Sequence, residues 1–172
     1  MPAVQTVHLI YGPTAAGKST YARTLAWERN AVRFAIDEWM HTLFGQDLPE
    51  KMDMAWILPR VARCQARIWA TSAEILRTGR DVVLELGLMR QTDRQRMKAL
   101  VEEAGYQASF SFVDADAQVR RQRALQRNVD KGETYTFDVT PAMFDAMEPL
   151  FERPTLQELA HTTIISGEDH HG

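Results

Sequence analysis

The sequence predicts a single α/β domain over residues 1–172, a parallel sheet of five strands layered between helices, with a helical lid over about residues 120–138. Three observations predict it. Short apolar runs at Val4–Ile10, Ala31–Ile36, Asp81–Gly87, Gln107–Val113 and Thr162–Ile165 alternate with stretches of helical period, the order that builds parallel sheets with right-handed crossovers. The third run, Val82-Val83-Leu84, is apolar without interruption, as a central strand covered on both faces must be. The first run leads into a glycine-containing turn that opens a helix.

Each element has a local cause. From Gly17, residues Tyr21, Leu25 and Ala26 recur at helical spacing and the pattern ends at Glu28 to Asn30. The second strand delivers Asp37 at its carboxyl end. Between Asp37 and the third strand the chain is rich in Trp, Met and Leu and is broken by Gly45, Pro49 and Pro59. Short helices are expected there, then a long one that starts or kinks at Pro59, because proline removes a helical hydrogen bond. Val61, Ile68, Ser72, Ile75 and Leu76 hold one face of it to Thr78, with Gly79 as the stop. Gln91 to Glu103 is read as helix with Thr92 as cap and Gly105 closing it. Val119 to Asn128 follows as an arginine-rich helix, Val129 to Asp138 as a polar loop, and Pro141 to Phe151 as a helix begun by proline.

Composition bounds the function. With 172 residues, 45% of them hydrophobic, the chain buries a sizeable core, and its net charge of −3 argues against a dedicated nucleic-acid binder. The single cysteine, Cys64, forms no intramolecular disulfide and suits a reducing cytosol. Met1 to Gln5 carries no basic region and Val7 to Tyr11 is too short for a leader, so the expected location is cytoplasmic, with no membrane segment.

The strongest chemical signal is Gly12-Pro13-Thr14-Ala15-Ala16-Gly17-Lys18-Ser19, which fits G-x-x-x-x-G-K-[ST] without deviation. A chance match in a chain of this length is on the order of 1% or below. Glycines let backbone N–H groups wrap phosphate oxygens, the helix N-terminus adds positive potential, and Lys18 reaches the β- and γ-phosphates. Gly12 through Thr20 are therefore expected to bind ATP, and Ser19 to ligate Mg²⁺.

Asn-Lys-x-Asp and a post-strand Asp-x-x-Gly are missing, which disfavours a switch GTPase. A kinase needs a base, a metal and cations converging on one γ-phosphate. Asp37, on the sheet edge where α/β ligands bind, is the candidate base, though it also suits the cap of a helix beginning at Glu38. Glu38 is the substitute. Arg120, Arg123 and Arg127 share a helical face; Arg120 is expected to bind nucleotide, and Arg123 and Arg127 to grip the transferring phosphate. A solvated, salt-bridged helix is the plainer alternative. Glu85 ends the third strand, placed to hold Mg²⁺ through water or to contact substrate. Arg90 is placed either in the same cleft or on the surface.

With these residues in hand, the chain resembles the small P-loop kinases that include chloramphenicol phosphotransferase, zeta toxins and polynucleotide 5′-kinase, related chains being described as AAA-domain ATP-binding proteins. The resemblance is carried by Gly12 to Thr20, Phe34-Ala35-Ile36-Asp37, Val82-Val83-Leu84-Glu85 and Val113-Asp114 with Arg120, Arg123 and Arg127. It implies a P-loop NTPase fold with strand order 2-3-1-4-5, Asp37 as base and Arg123 and Arg127 in the lid. The third strand of such kinases commonly ends in aspartate or asparagine near a small hydroxyl residue, where this chain has Glu85-Leu86-Gly87-Leu88.

The resulting expectation is transfer of the γ-phosphate of ATP to a small-molecule hydroxyl by a monomer or homodimer. A polynucleotide or nucleotide kinase and a non-catalytic ATP-binding module are the alternatives. Trp39, Met40, His41, Phe44 and Met52 to Trp56 are expected around the acceptor, although core filling is the commoner use of such residues. His41 is a possible substrate contact, His8 is expected to be structural, and His170 and His171 to belong to an exposed terminus.

Overall fold

The structure is a computed structural model and describes residues 3–132 and 138–168. Five parallel strands, β1 (Thr6–Tyr11), β2 (Val32–Ala35), β3 (Val82–Glu85), β4 (Gln107–Asp114) and β5 (Thr162–Ser166), form one sheet in the order β2-β3-β1-β4-β5. The helices are α1 (Lys18–Glu28), α2 (Ile36–Phe44), α3 (Met54–Arg77), α4 (Gln91–Glu103), α5 (Ala117–Asp130), α6 (Pro141–Met147) and α7 (Leu156–Leu159). This is the α/β P-loop NTPase architecture expected from the sequence.

Strand alternation separates the two faces. Val7, Leu9, Tyr11, Val82 and Leu84 pack with Ile68 and Leu76 of α3 and Met97 and Val101 of α4. Ile10, Val83 and Val113 point the other way, onto Ala22, Leu25 and Ala26 of α1. Glu85, two residues after Val83, shares the α1 side. Arg33 and Ala35 of β2 pair with Val83 and Glu85, so they share it as well. Sheet parity therefore brings Arg33 and Glu85 to the helix that carries Ser19.

Several expectations move. The α2 helix begins at Ile36, straight from β2 with no loop between, so Asp37 stands in its first turn and not at a strand end. The α3 helix starts at Met54, where the Asp53 side chain accepts from the Ala55 N–H at 2.9 Å, and Pro59 lies inside it. The carbonyl that Pro59 leaves without a donor belongs to Ala55, an exposed residue open to solvent, which is why the helix tolerates the proline. Arg90, not Thr92, precedes α4, without a side-chain cap. The α5 helix extends from Ala117, capped by Asp116, to Asp130; α6 ends at Met147, and a 3₁₀ turn covers Glu148–Leu150. Residues 133–137 of the expected lid loop, and His170 and His171, lie outside the described residues. Among the described residues, no helix is long and apolar enough to cross a membrane.

Candidate active site

The chain turns sharply after β1 because three of its loop residues take positive φ: Gly12 (157°), Ala15 (61°) and Gly17 (101°). Glycine at 12 is obligatory on steric grounds, since a Cβ there would lie 2.0 Å from the carbonyl oxygen of Val113. Gly17 immediately precedes α1, whose first turn has no acidic residue to offset its positive end. Lys18 Nζ donates to the carbonyls of Gly12 (2.9 Å) and Pro13 (2.8 Å), arching back over its own loop. Gly12 and Pro13 are thus buried supports, whereas Thr14, Ala15, Ala16, Gly17, Lys18, Ser19 and Thr20 line a cavity of about 530 Å³.

Across that cavity stands Asp37. The helix that carries it is preceded by Ala35, with no side-chain cap, so Asp37 is not a cap. It makes no hydrogen bond among the described residues and faces the open cleft. Solvent reaches it from the mouth, yet protein crowds it enough that burial raises its pKa, opposed first by Lys18 and then by Arg127. Burial likewise lowers the Lys18 pKa, to about 8, with Asp37 and Glu85 pulling it back up. Acid and amine each hold the other toward its charged form.

Glu85 is held from both sides. Ser19 Oγ donates to its Oε1 at 2.9 Å, and Arg33 Nε donates to its Oε2 at 2.6 Å. Hydroxyl and carboxylate together form an oxygen pair of the kind that suits Mg²⁺ completed by water and phosphate. Among the described residues, no group of three or more His, Cys, Asp or Glu could hold a metal by itself.

The arginine helix divides its labour. Arg123 and Arg127 line the cavity with Ala124 and Gln126 between them. Arg123 Nη2 donates to the Gly167 carbonyl at 2.7 Å. The Arg127 side chain has no hydrogen bond among the described residues; burial and then Arg123 lower its pKa, and Asp37 opposes them. Arg120, expected to bind nucleotide, does not line the cavity. Buried, it donates to both Glu148 oxygens (2.5 and 2.8 Å), to the Ala115 carbonyl (2.9 Å) and to the Thr14 carbonyl (3.3 Å). It fastens α5 to the phosphate loop and to the turn after α6.

The residues expected around the acceptor do not line this cavity. Trp39, Met40 and Phe44 pack against the main core, Arg60 lies 4.0 Å from the Trp56 ring centroid, and none of them lines the cavity. His41 and Arg90 are exposed, and neither lines it. His8 pairs with Asp81 at 3.2 Å, and Cys64 is buried in the core. The rest of the cavity wall includes Glu38, Gly87, Met89 and Met147. The loop after β3 is fixed there by bonds to three consecutive-region carbonyls: Gln65 to Leu86 (3.2 Å), buried Arg94 to Leu88 (3.0 Å), and the Glu152 N–H to Met89 (2.8 Å).

Three residues that matter here escaped sequence reasoning. Arg33 left a signal, a charge within a short strand; Arg94 left another, a charge at helical spacing from Met97 and Val101. Gly167 left only its place after the last strand. A Cβ on it would lie 1.8 Å from the Ala16 carbonyl oxygen, so β5 can approach the phosphate loop only with glycine here.

The AAA domain family matches residues 7–154. The chain belongs to that family. Among solved structures, this AAA domain chain is similar to a candidate kinase from Chloroflexus aurantiacus, with 22% identity over 94% of this chain and 88% of that one, at a TM-score of 0.68. It is similar to a gluconokinase from Sinorhizobium meliloti, with 14% identity over 94% and 82%, at 0.60. Kti12 from Chaetomium thermophilum, in complex with ADP-AlF3, gives 10% identity over 96% and 91%, at 0.64. At these identities the likeness establishes the fold. No match is found among curated proteins.

Proposed function

We propose that this AAA domain protein is an ATP-dependent phosphotransferase of the cytoplasm that moves the γ-phosphate to a hydroxyl of a small molecule. The observation that carries the reading is Asp37: an uncapping, unbonded carboxylate facing the same cavity as Lys18 and Arg127. A protein that only held nucleotide has no use for an acid in that position. The gluconokinase among its structural neighbours supports a small hydroxylated acceptor.

The acceptor oxygen would attack the γ-phosphorus, forming one O–P bond while the bond to the β–γ bridging oxygen breaks and ADP leaves with its electrons. The hydroxyl proton passes to Asp37. Because such transition states are loose, catalysis rests on positioning and on charge complementarity, supplied by the N–H groups from Ala15 to Ser19, by Lys18 and by Arg123 and Arg127. Ser19 and Glu85 would hold Mg²⁺, which when bound neutralises charge on the phosphate oxygens.

The reading is tested by incubating the protein with ATP and Mg²⁺ against sugars and polyols, nucleosides, aminoglycoside- and phenicol-type antibiotics, and oligonucleotides with 5′-hydroxyl ends, with ³¹P NMR of the products. A new phosphate monoester on a small molecule is expected. Transfer to oligonucleotide ends alone replaces the acceptor class, and ATP binding with no transfer to any of them leaves a nucleotide-binding module.

A further inference from the structure

The cavity wall carries four carboxylates, those of Asp37, Glu38, Glu85 and Asp130, and a triphosphate must enter beside them. Asp130 accepts from Gln126 Nε2 at 3.0 Å, and Glu38 and Glu85 are engaged from behind by arginine. Arg33 is not part of the wall, and its side chain is only 13% exposed. Its planar fork reaches in two directions at once: Nε to Glu85 Oε2 at 2.6 Å, Nη1 to Glu38 Oε1 and Oε2 at 3.2 and 3.1 Å, and Nη2 to Glu38 Oε1 at 3.2 Å. A lysine, with a single ammonium, cannot span both acids in this way. Arg23 of α1 adds a 3.2 Å contact to Glu38 Oε1 from the other side. Asp37, next along the chain, receives nothing from Arg33.

We propose that Arg33 is a positioning residue that sets the charge the cavity presents to phosphate, holding Glu38 and Glu85 so that, of these two and Asp37, Asp37 is the acid left free. The proposal rests on reading the cavity as the nucleotide site. Arg33 also ties the two halves of that site together, since Glu85 is bonded to Ser19 on the donor side and Glu38 adjoins Asp37 on the acceptor side. Replacing Arg33 by a neutral residue releases a carboxylate toward each half. At such short range in a partly desolvated cleft, an uncompensated acid repels phosphate strongly. A divalent cation compensates the same charge, so the damage is greatest where no metal is present.

The experiment is calorimetric titration of ATP into the native chain, R33M and R33M/E38Q, in EDTA and again in Mg²⁺. R33M is expected to lose at least about tenfold in metal-free affinity and distinctly less with Mg²⁺, and E38Q is expected to restore part of the metal-free loss. A purely structural tie between β2 and β3 would weaken both conditions alike. If R33M does not fold, R33Q, which keeps hydrogen-bond donors without the charge, is read in its place. A folded variant that binds ATP in EDTA as the native chain does, that loses the same factor in both conditions, or that E38Q does not improve overturns the proposal. A native chain that binds ATP yet transfers phosphate to nothing counts against the kinase reading alone, and one that binds no ATP overturns both.

Discussion

Ser19 in the first turn of α1 donates a 2.9 Å hydrogen bond to Glu85, the last residue of β3. The contact joins the phosphate loop to the centre of the sheet and places an anionic oxygen beside the hydroxyl. Replacing Glu85 by Gln preserves the shape and removes the charge. Mg²⁺–ATP affinity is expected to fall at least about tenfold, with metal-free ATP affinity falling less, because the lost charge served the cation. Titration calorimetry with and without Mg²⁺ reads the difference, and equal losses would remove Glu85 from the metal's surroundings.

Lys18 gives a pH dependence with a definite sign. In the free protein its pKa is lowered to about 8 from 10.5. Phosphate favours the ammonium, so the pKa rises on binding and nucleotide uptake draws in a proton above pH 8. ATP affinity is expected to be flat below that point and to weaken above it by at most about tenfold per pH unit. In the free fold the ammonium opposes stability below pH 8, and that opposition fades between pH 8 and 10.5, where the folded lysine has lost its proton and the unfolded chain still holds its own. Calorimetry in buffers of different ionisation enthalpy measures the proton uptake, and an affinity unchanged to pH 9.5 contradicts it.

Arg120 and Arg127 separate structure from chemistry on one helix. Arg120→Ala leaves Glu148 unpaired in a largely buried contact and is expected to cost about 3 kcal/mol in unfolding free energy. Arg127→Ala breaks no hydrogen bond among the described residues, so it is expected to leave stability within about 1 kcal/mol while lowering turnover roughly a hundredfold. Denaturant melts and turnover on the acceptor from the screen, taken together, check both halves.

Gly167→Ala forces a methyl group to within 1.8 Å of the Ala16 carbonyl oxygen. The backbone must move, either at β5 or at the phosphate loop. A loss of more than about 2 kcal/mol in stability and weaker ATP binding are expected, read by thermal unfolding and by calorimetry.

The fold was legible because its signals are local. Alternating strand and helix patterns, a buried Val82-Val83-Leu84 and the eight-residue phosphate motif each act over a few residues. Even the errors were local: Ile36 continues from strand into helix without a loop, and Pro59 sits within α3 because the exposed Ala55 carbonyl can turn to water. The site was legible where chain position decides it, as with Lys18, Ser19, Asp37 and Glu85, which the sheet edge gathers. It was not legible where partners are distant in sequence. Arg120 could not be told from Arg123 and Arg127 without Glu148, Trp39 and Phe44 of α2 turned to the core, and Gly167 acquires its meaning only against Ala16.

In the proposed reaction Asp37 takes the acceptor's proton. Asp37→Asn keeps the size and removes the base. The decisive measurement is its single-turnover rate of phosphate transfer to the identified acceptor, with ATP affinity measured alongside. The rate is expected to fall by about 10² to 10⁴, with ATP affinity within about threefold of the native chain. Full-rate transfer by Asp37→Asn would contradict it.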